Sequence, residues 1–283
     1  MAPKITSWAD ISYLVEYFGG DPMEFHATRF AFIEEDDVVW IGELPVRKKK
    51  ASMEEYDAAL VRLLDAEIYP EFPGGGELTV APGNELPVAS NLYLKRPLAV
   101  KRYNEFKQAD LLHFPRDILL QEAHTLEAIC RHHPHPNIIG YHGCRVHRGF
   151  ITGLVLDRHP SDLQEYFHDE HWWGQTRPPL DKERFMEALQ SAVDHLHSLG
   201  FAHNDIKPQN ILVNAAGMPV LVDFDSCRPV GEKGSRGTVG WMDDEENYEI
   251  SDFRHDTFAM EKLRAWLAEQ KTGPRPAFIY PPM

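Results

Sequence analysis

The sequence predicts an α+β chain. Short runs of aliphatic and β-branched residues, bounded by turn residues, read as strands. Longer segments with an apolar residue every third or fourth position read as helices. A compact polar loop, His203-Asn204-Asp205-Ile206-Lys207-Pro208-Gln209-Asn210, lies between elements of both kinds. The acidic run Val222-Asp223-Phe224-Asp225 follows it.

In chain order, Val38-Val39-Trp40-Ile41 reads as a buried strand. Ser52 to Ile68 reads as one helix, with Ser52 as N-cap and Tyr56, Leu60, Leu63 and Leu64 inward. Gly74-Gly75-Gly76 reads as a linker before a strand Leu78-Thr79-Val80. The stretch Ala81-Pro82-Gly83-Asn84-Glu85 follows, and no G-x-G-x-x-G occurs. Asp117 to Cys130 reads as a helix capped by Asp117, with Leu119, Ala123, Leu126 and Ile129 as its apolar stripe. Glu122 falls on or beside that stripe, where a carboxylate is costly unless paired. Asp181 to Leu199 reads as a helix through Phe185, Leu189, Val193 and Leu196, closed by Gly200. Ile211 to Val213 and Pro219 to Val222 read as two strands joined by the turn Asn214-Ala215-Ala216-Gly217, which brings Asn210 and Asp223 to one end. Phe253 to Leu267 reads as an amphipathic helix, and Lys271 to Met283, with four prolines, as an irregular tail.

The polar loop carries the chemistry. Phosphoryl transfer from a nucleotide asks for positioning and charge neutralisation more than for covalent help. Asp205 can accept the proton of an attacking hydroxyl, and Lys207 can reach the transferring phosphate. Asn210 and Asp223 offer hard oxygens of the kind that Mg²⁺ prefers. Pro208 and its polar neighbours forbid a regular helix and hold a fixed loop.

H-N-D-I-K-P-Q-N resembles the catalytic loop of the protein-kinase superfamily, and D-F-D resembles its metal-binding D-F-G. The separation of the two aspartates, 223 − 205 = 18, is also like that family's. The resemblance implies a two-lobed kinase-like α+β fold, with a small β-rich N-lobe and a truncated, mainly helical C-lobe. Its divisions would be an extension over 1–75 packed on the N-lobe, an N-lobe over 76–157, a shortened C-lobe over 158–270 and the tail over 271–283. Glu122 would hold the strand lysine that contacts nucleotide phosphates. Two lysines compete for that place. Lys101 in Leu98-Ala99-Val100-Lys101 has the better spacing, 122 − 101 = 21, and is favoured. Lys95 in Leu92-Tyr93-Leu94-Lys95-Arg96-Pro97 resembles an I-K-R-P run of small fungal kinase-like proteins. Tyr141-His142-Gly143-Cys144 and Ile151 to Leu156 strengthen the same likeness.

Leu154 to Asp157 would be the hinge that meets adenine through backbone groups, with Leu156 as gatekeeper. His132 to Asn137, with three histidines, resembles the turn after the kinase helix and not a metal site. Gly237-Thr238-Val239-Gly240-Trp241-Met242-Asp243-Asp244-Glu245 resembles the end of an activation segment. Asp256 matches the aspartate that anchors the catalytic-loop backbone. Phe224, His203, Leu126 and Tyr141 are expected to stack as an internal apolar column between the lobes.

Two letters depart from the pattern. Asn204 stands where many kinases carry the arginine that reads a phosphorylated activation loop. Asp225 stands where D-F-G has its glycine, and puts an extra carboxylate near the metal. The expected activity is ATP–Mg²⁺-dependent phosphoryl transfer to a hydroxyl, foremost of serine or threonine. Aminoglycoside and choline phosphotransferases, with H-x-D-x-x-x-x-N and D-[WF]-[DE], resemble the chain too. A pseudokinase acting as a binding or scaffold module is the third reading. The retention of Asp205, Lys207, Asn210, Asp223 and Glu122 speaks against it.

Composition sets outer bounds. The chain has 283 residues, 43% of them hydrophobic, enough for a sizeable core. A net charge of −15 argues against nonspecific nucleic-acid binding. Three cysteines suggest no disulfide scaffold. No stretch approaches the roughly 20 apolar residues of a membrane span. The expectation is a cytoplasmic monomer, with the basic run Arg47-Lys48-Lys49-Lys50 too short to argue strongly for nuclear import. Its partners would be ATP and a protein or small-molecule acceptor, with no nucleic acid and no membrane.

Overall fold

The computed structural model describes residues 3–19, 23–82, 91–168, 180–234, 237–243 and 248–270. The expectations for Gly83 to Glu85, Glu245 and the tail from Lys271 lie outside the described residues. Two compact units emerge. One comprises Met1–His124 with His142–Leu156, the other Thr125–Tyr141 with Asp157–Met283.

In the first unit, β1 (Tyr13–Gly19), β2 (Glu24–Ile33), β3 (Val39–Leu44) and β4 (Val61–Arg62) form an antiparallel sheet in chain order. Between the last two strands lies α1 (Met53–Ala58), and after them α2 (Asp65–Ile68). The single helix expected over 52–68 is therefore broken. Its start is as read: the Ser52 hydroxyl accepts from Glu55 N–H, and the Glu55 carboxylate returns a bond to Ser52 N–H. After Ala58 the sheet edge takes the chain. Val61 pairs with Ile41 and Arg62 with Trp40, and Leu63 N–H donates to Val39 O at 2.9 Å. A β-branched residue beside an open edge gains more from the ladder than from another helical turn.

A second sheet orders β5 (Leu92–Lys95), β7 (Phe150–Asp157) and β6 (Tyr141–His147), with β7 central. Gly153 allows that centre to be tight, since a Cβ there would meet Lys95 O at 2.8 Å. Thr79 to Ala81 meets this sheet at an isolated bridge from Val80 to Cys144, so among the described residues Leu78–Val80 forms a bridge where a strand was expected. After β5 comes α3 (Ala99–Gln108), where a strand was expected over 98–101. Pro97 fixes the backbone just ahead of it, and Val100, Tyr103 and Phe106 recur at helical spacing and are all buried. Val100 and Tyr103 join Ala31, Val39, Leu63, Ile68 and Tyr69 in one core cluster. Residues before 75 thus share a core with residues after 97.

The helix expected to begin at Asp117 begins at His113 and runs as α4 (His113–Leu126), continuing in a π-helical turn, Glu127–Arg131. Pro115 lies in its first turn, where a missing N–H costs nothing, so the N-cap reading of Asp117 fails.

In the second unit, β8 (Ser161–Asp162) leads into α5 (Leu163–Phe167). The long helix α6 (Lys182–Ser198) is capped by Asp181, whose carboxylate accepts from Glu183 and Arg184 N–H. It buries Phe185, Leu189, Val193 and Leu196, and Gly200 follows at φ +83°. The pair β10 (Ile211–Val213) and β11 (Pro219–Leu221) makes the hairpin read from sequence, with Leu212 opposite Val220. Asn137 ties the preceding turn to it. Its side chain donates to Pro219 O at 2.8 Å, and its carbonyl accepts from Leu221 N–H at 2.8 Å. The neighbouring histidines pack and cap: His135 stacks on His195 with centroids 5.1 Å apart, and His195 bonds His133 O. β9 (Phe201–Ala202) pairs with β12 (Arg228–Pro229), and α7 (Phe253–Glu269) ends the described chain. No helix among the described residues is long and apolar enough to cross a membrane.

Candidate active site

The polar loop of the second unit starts where β9 ends and is held from below by α7. Asp256, fully buried, takes three bonds of 2.8 Å each. Its Oδ2 accepts from His203 N–H and from His197 Nε2, and its Oδ1 accepts from Asn204 N–H. The loop backbone is thereby fixed just before Asp205. His203 is fixed a second time. Asp205 N–H approaches its Nδ1 at 3.4 Å, which makes Nε2 the protonated nitrogen that donates to Val222 O at 3.0 Å. Its ring meets Phe224 edge-on, with centroids 5.1 Å apart. Leu126 and Tyr141, the other two members of the expected column, are buried in the same unit.

Asn204 has a structural task that its residue type alone hides. It is buried at φ +64°, in the left-handed region that asparagine tolerates better than most residues. Its Nδ2 shares two hydrogens among Ala202 O, Ser226 O and Ser251 Oγ at 2.9, 3.1 and 3.0 Å, and its Oδ1 faces His255 Nδ1 at 3.0 Å. An arginine could not make this compact network.

Around Asp205 the charged groups converge. Lys207 Nζ donates to Asp205 Oδ2 at 2.5 Å and to Thr238 Oγ1 at 2.7 Å. Thr238 Oγ1 in turn donates a hydrogen bond to Asp205 Oδ1 at 2.7 Å. Asn210 Nδ2 donates to Asp205 O and Oδ2 at 2.9 and 3.0 Å. That leaves Oδ1 as the Asn210 atom suited to a cation. Pro208–Asn210 is a short 3-10 turn, and Val222 N–H donates to Asn210 O at 3.0 Å. The hairpin therefore sets Asn210 and Asp223 at the same end, as expected. The contact of Thr238 was not foreseen. The Gly237-Thr238 pair is the sequence signal for it.

Asp223 has φ +66°, so the left-handed residue of the D-F-D run is its first aspartate and not Asp225. The Asp225 carboxylate accepts from Ser226 Oγ at 3.1 Å, and its backbone oxygen accepts from Arg228 Nη1 at 2.8 Å. Asn210 and Asp223 present one neutral and one charged hard oxygen. No group of three or more His, Cys, Asp or Glu side chains forms a metal cage among the described residues. Mg²⁺ needs none: it is commonly held by one or two carboxylates together with substrate phosphates and water. The donor set fits that ion.

In the first unit, Glu122 on α4 is buried and takes Lys95 Nζ on Oε1 at 2.7 Å. Lys95, not Lys101, is thus its partner. Lys101 is exposed in the first turn of α3. The favoured spacing assumed a strand through Lys101, and the helix removes it. Leu156 is buried near the end of β7, and Asp157 N–H donates to Gly140 O at 3.0 Å.

The model of the protein kinase domain matches residues 89–249. Serine/threonine-protein kinase/endoribonuclease IRE1 of Hypocrea jecorina is 32% identical over 122 residues, 38% of this chain and 10% of that protein. MAPK/MAK/MRK overlapping kinase of Mus musculus is 30% identical over 125 residues, 43% of this chain and 28% of that protein. MAP kinase kinase kinase win1 of Schizosaccharomyces pombe is 28% identical over 102 residues, 36% of this chain and 7% of that protein. The chain spans less than a third of the length of each of these relatives.

Proposed function

The chain belongs to the protein kinase domain family, and we propose that it transfers the terminal phosphoryl group of ATP to a serine or threonine hydroxyl. The observation that carries this reading is the arrangement of Lys207, Thr238 and Asn210 around the carboxylate of Asp205. ATP with Mg²⁺ would supply the phosphoryl group and part of its charge neutralisation.

Asp205 is oriented through both oxygens, which supports its carboxylate as the group that receives the acceptor hydroxyl's proton. Oδ1 has a second lone pair beside the one that Thr238 occupies, and the acceptor hydroxyl can use it while Thr238 stays in place. Lys207, already beside Oδ2, offsets negative charge where it develops. Asn210 and Asp223 supply the oxygens for the cation. Lys95, held by Glu122, is assigned to the nucleotide phosphates, and Leu156 and Asp157 to the adenine side. The D-x-K-P-x-N form and the likeness to a serine/threonine-protein kinase support a serine or threonine acceptor. Asn204, engaged by five neighbouring groups, supports activity that does not wait for a phosphorylated activation loop.

Asp225 favours a second reading. A further carboxylate beside Asp223 is a feature shared with small-molecule phosphotransferases of the aminoglycoside and choline type. Labelled phosphate transfer from ATP–Mg²⁺, offered serine- and threonine-containing peptides in one arm and amino alcohols in the other, separates the two. Peptide labelling is expected. Labelling of alcohols alone moves the assignment to the second reading, and labelling in neither arm removes both.

A further inference from the structure

We propose that Asp37 is a positioning residue for Lys95, so that the amino-terminal hairpin forms part of the nucleotide-phosphate apparatus. The inference rests on the assignment of Lys95 to phosphates made above. Asp37 lies outside the segment that matches the kinase domain model, which begins at residue 89.

The turn between β2 and β3 drives a carboxylate into the protein. Asp37 is fully buried at φ +64°, and its N–H closes the turn on Glu34 O at 2.9 Å. Its Oδ1 accepts from Arg96 Nη2 at 3.0 Å. Its Oδ2 accepts from Thr152 Oγ1 at 2.7 Å and lies 2.8 Å from Arg145 Nε. His147 Nδ1 is 3.7 Å from that same oxygen, and Tyr69 Oη donates to the Asp37 carbonyl at 2.9 Å. One buried anion thus gathers Arg145 on β6, Thr152 on β7 and Arg96 at the end of β5.

Arg96 directly follows Lys95. Successive side chains of an extended chain leave on opposite sides. Arg96 runs to Asp37, while Lys95 runs to Glu122. The end of β5 is therefore clamped from both sides, and Gly153 lets β7 close upon it at Lys95 O. A buried carboxylate with two arginines is expensive to leave half-paired, so the clamp has few alternative arrangements. Releasing one side frees the backbone that sets the reach of Lys95.

The test uses the full chain and calorimetric titration with ATP–Mg²⁺ and, separately, adenosine. Adenosine reports the base site without the phosphates. Asp37→Asn keeps the shape and suits the left-handed backbone, but removes the charge. It is expected to weaken ATP relative to adenosine by about tenfold to a hundredfold, as a displaced positioning group does. Lys95→Met is expected to lower the same ratio, and the double variant to lower it no further than Lys95→Met alone. Equal weakening of ATP and adenosine by Asp37→Asn, or additive losses in the double variant, overturns the inference. An unchanged ratio in Lys95→Met overturns the phosphate assignment itself, and the inference falls with it. A changed ratio in Lys95→Met beside an unchanged one in Asp37→Asn removes the inference alone. Should Asp37→Asn fail to fold, Arg96→Gln, at a partly exposed side chain, replaces it with the same expected ratio, and an unaltered ratio there is equally fatal.

Discussion

Replacing Asp256 by asparagine should cost the fold heavily despite the near-identical shape. The carboxylate has no exposure and serves three donors, two on Oδ2 and one on Oδ1. An asparagine has one acceptor oxygen. If that oxygen keeps His203 N–H and His197, its amide nitrogen faces Asn204 N–H, donor against donor. The orphaned buried N–H costs about 1–3 kcal/mol. The two bonds that remain lose their charge assistance, at roughly 1 kcal/mol each. The sum is about 3–5 kcal/mol, a large part of the roughly 5–15 kcal/mol that holds a domain together. Urea unfolding followed by far-ultraviolet circular dichroism measures it. Because His203 and Asn204 lead directly into Asp205, phosphoryl transfer per folded molecule should also fall. A loss under about 1 kcal/mol, less than one such bond, with unchanged turnover, would refute the claim that α7 fixes the loop.

Further outcomes follow from the same geometry. Lys95→Met should reduce turnover by about a hundredfold or more, as loss of an electrostatic clamp on phosphate does, whereas Lys101→Met, at an exposed helix position, should leave steady-state kinetics unchanged. Equal effects would undo the pairing of Lys95 with Glu122. Thr238→Ala should lower kcat by about tenfold to a hundredfold with little change in melting temperature, because Asp205 loses the partner that orients its Oδ1. An unaltered kcat contradicts that role. Asp252→Ala should destabilise α7 by about 1 kcal/mol at neutral pH, since its carboxylate caps Arg254 N–H. The Arg254 guanidinium, the largest influence, and its N–H hold the Asp252 pKa below its ordinary 3.8. That stabilisation is full above the unfolded value and fades as pH falls through the lower folded value. The gap between wild type and variant in thermal melts should therefore close only in strong acid.

Elements whose signals are local were legible from sequence. Asp181, the stripe from Phe185 to Leu196 and Gly200 define α6 without help from other segments. Asn214 and Gly217 likewise define the turn of the hairpin that places Asn210 and Asp223. Elements decided by distant partners were not. Leu60 to Leu64 is apolar enough for either state, and the open edge beside Trp40 and Ile41 made part of it a strand. Val100 fits a strand by type, yet the pocket formed by Ala31, Val39 and Tyr69 took it on a helix. The same helix decides the lysine, because separation along the chain says nothing about which Nζ can reach Glu122. Asp37 was hidden for a related reason. In Glu34-Glu35-Asp36-Asp37 it looks like a solvated acidic turn, and only the fold brings Arg96 and Arg145 to it. The polar loop was the clearest region of all, since its functional groups are concentrated within eight residues, His203 to Asn210.

On the proposed function, Asp205 acts as the base of a working phosphotransferase. The direct measurement is binding and turnover of ATP–Mg²⁺ by the wild-type chain and by Asp205→Asn in parallel, with peptide acceptor present. Wild type should bind and turn over, and the variant should bind with similar affinity while turnover falls by about a hundredfold or more, the size of a general-base contribution. Binding without turnover in both, or equal turnover in both, would contradict the account.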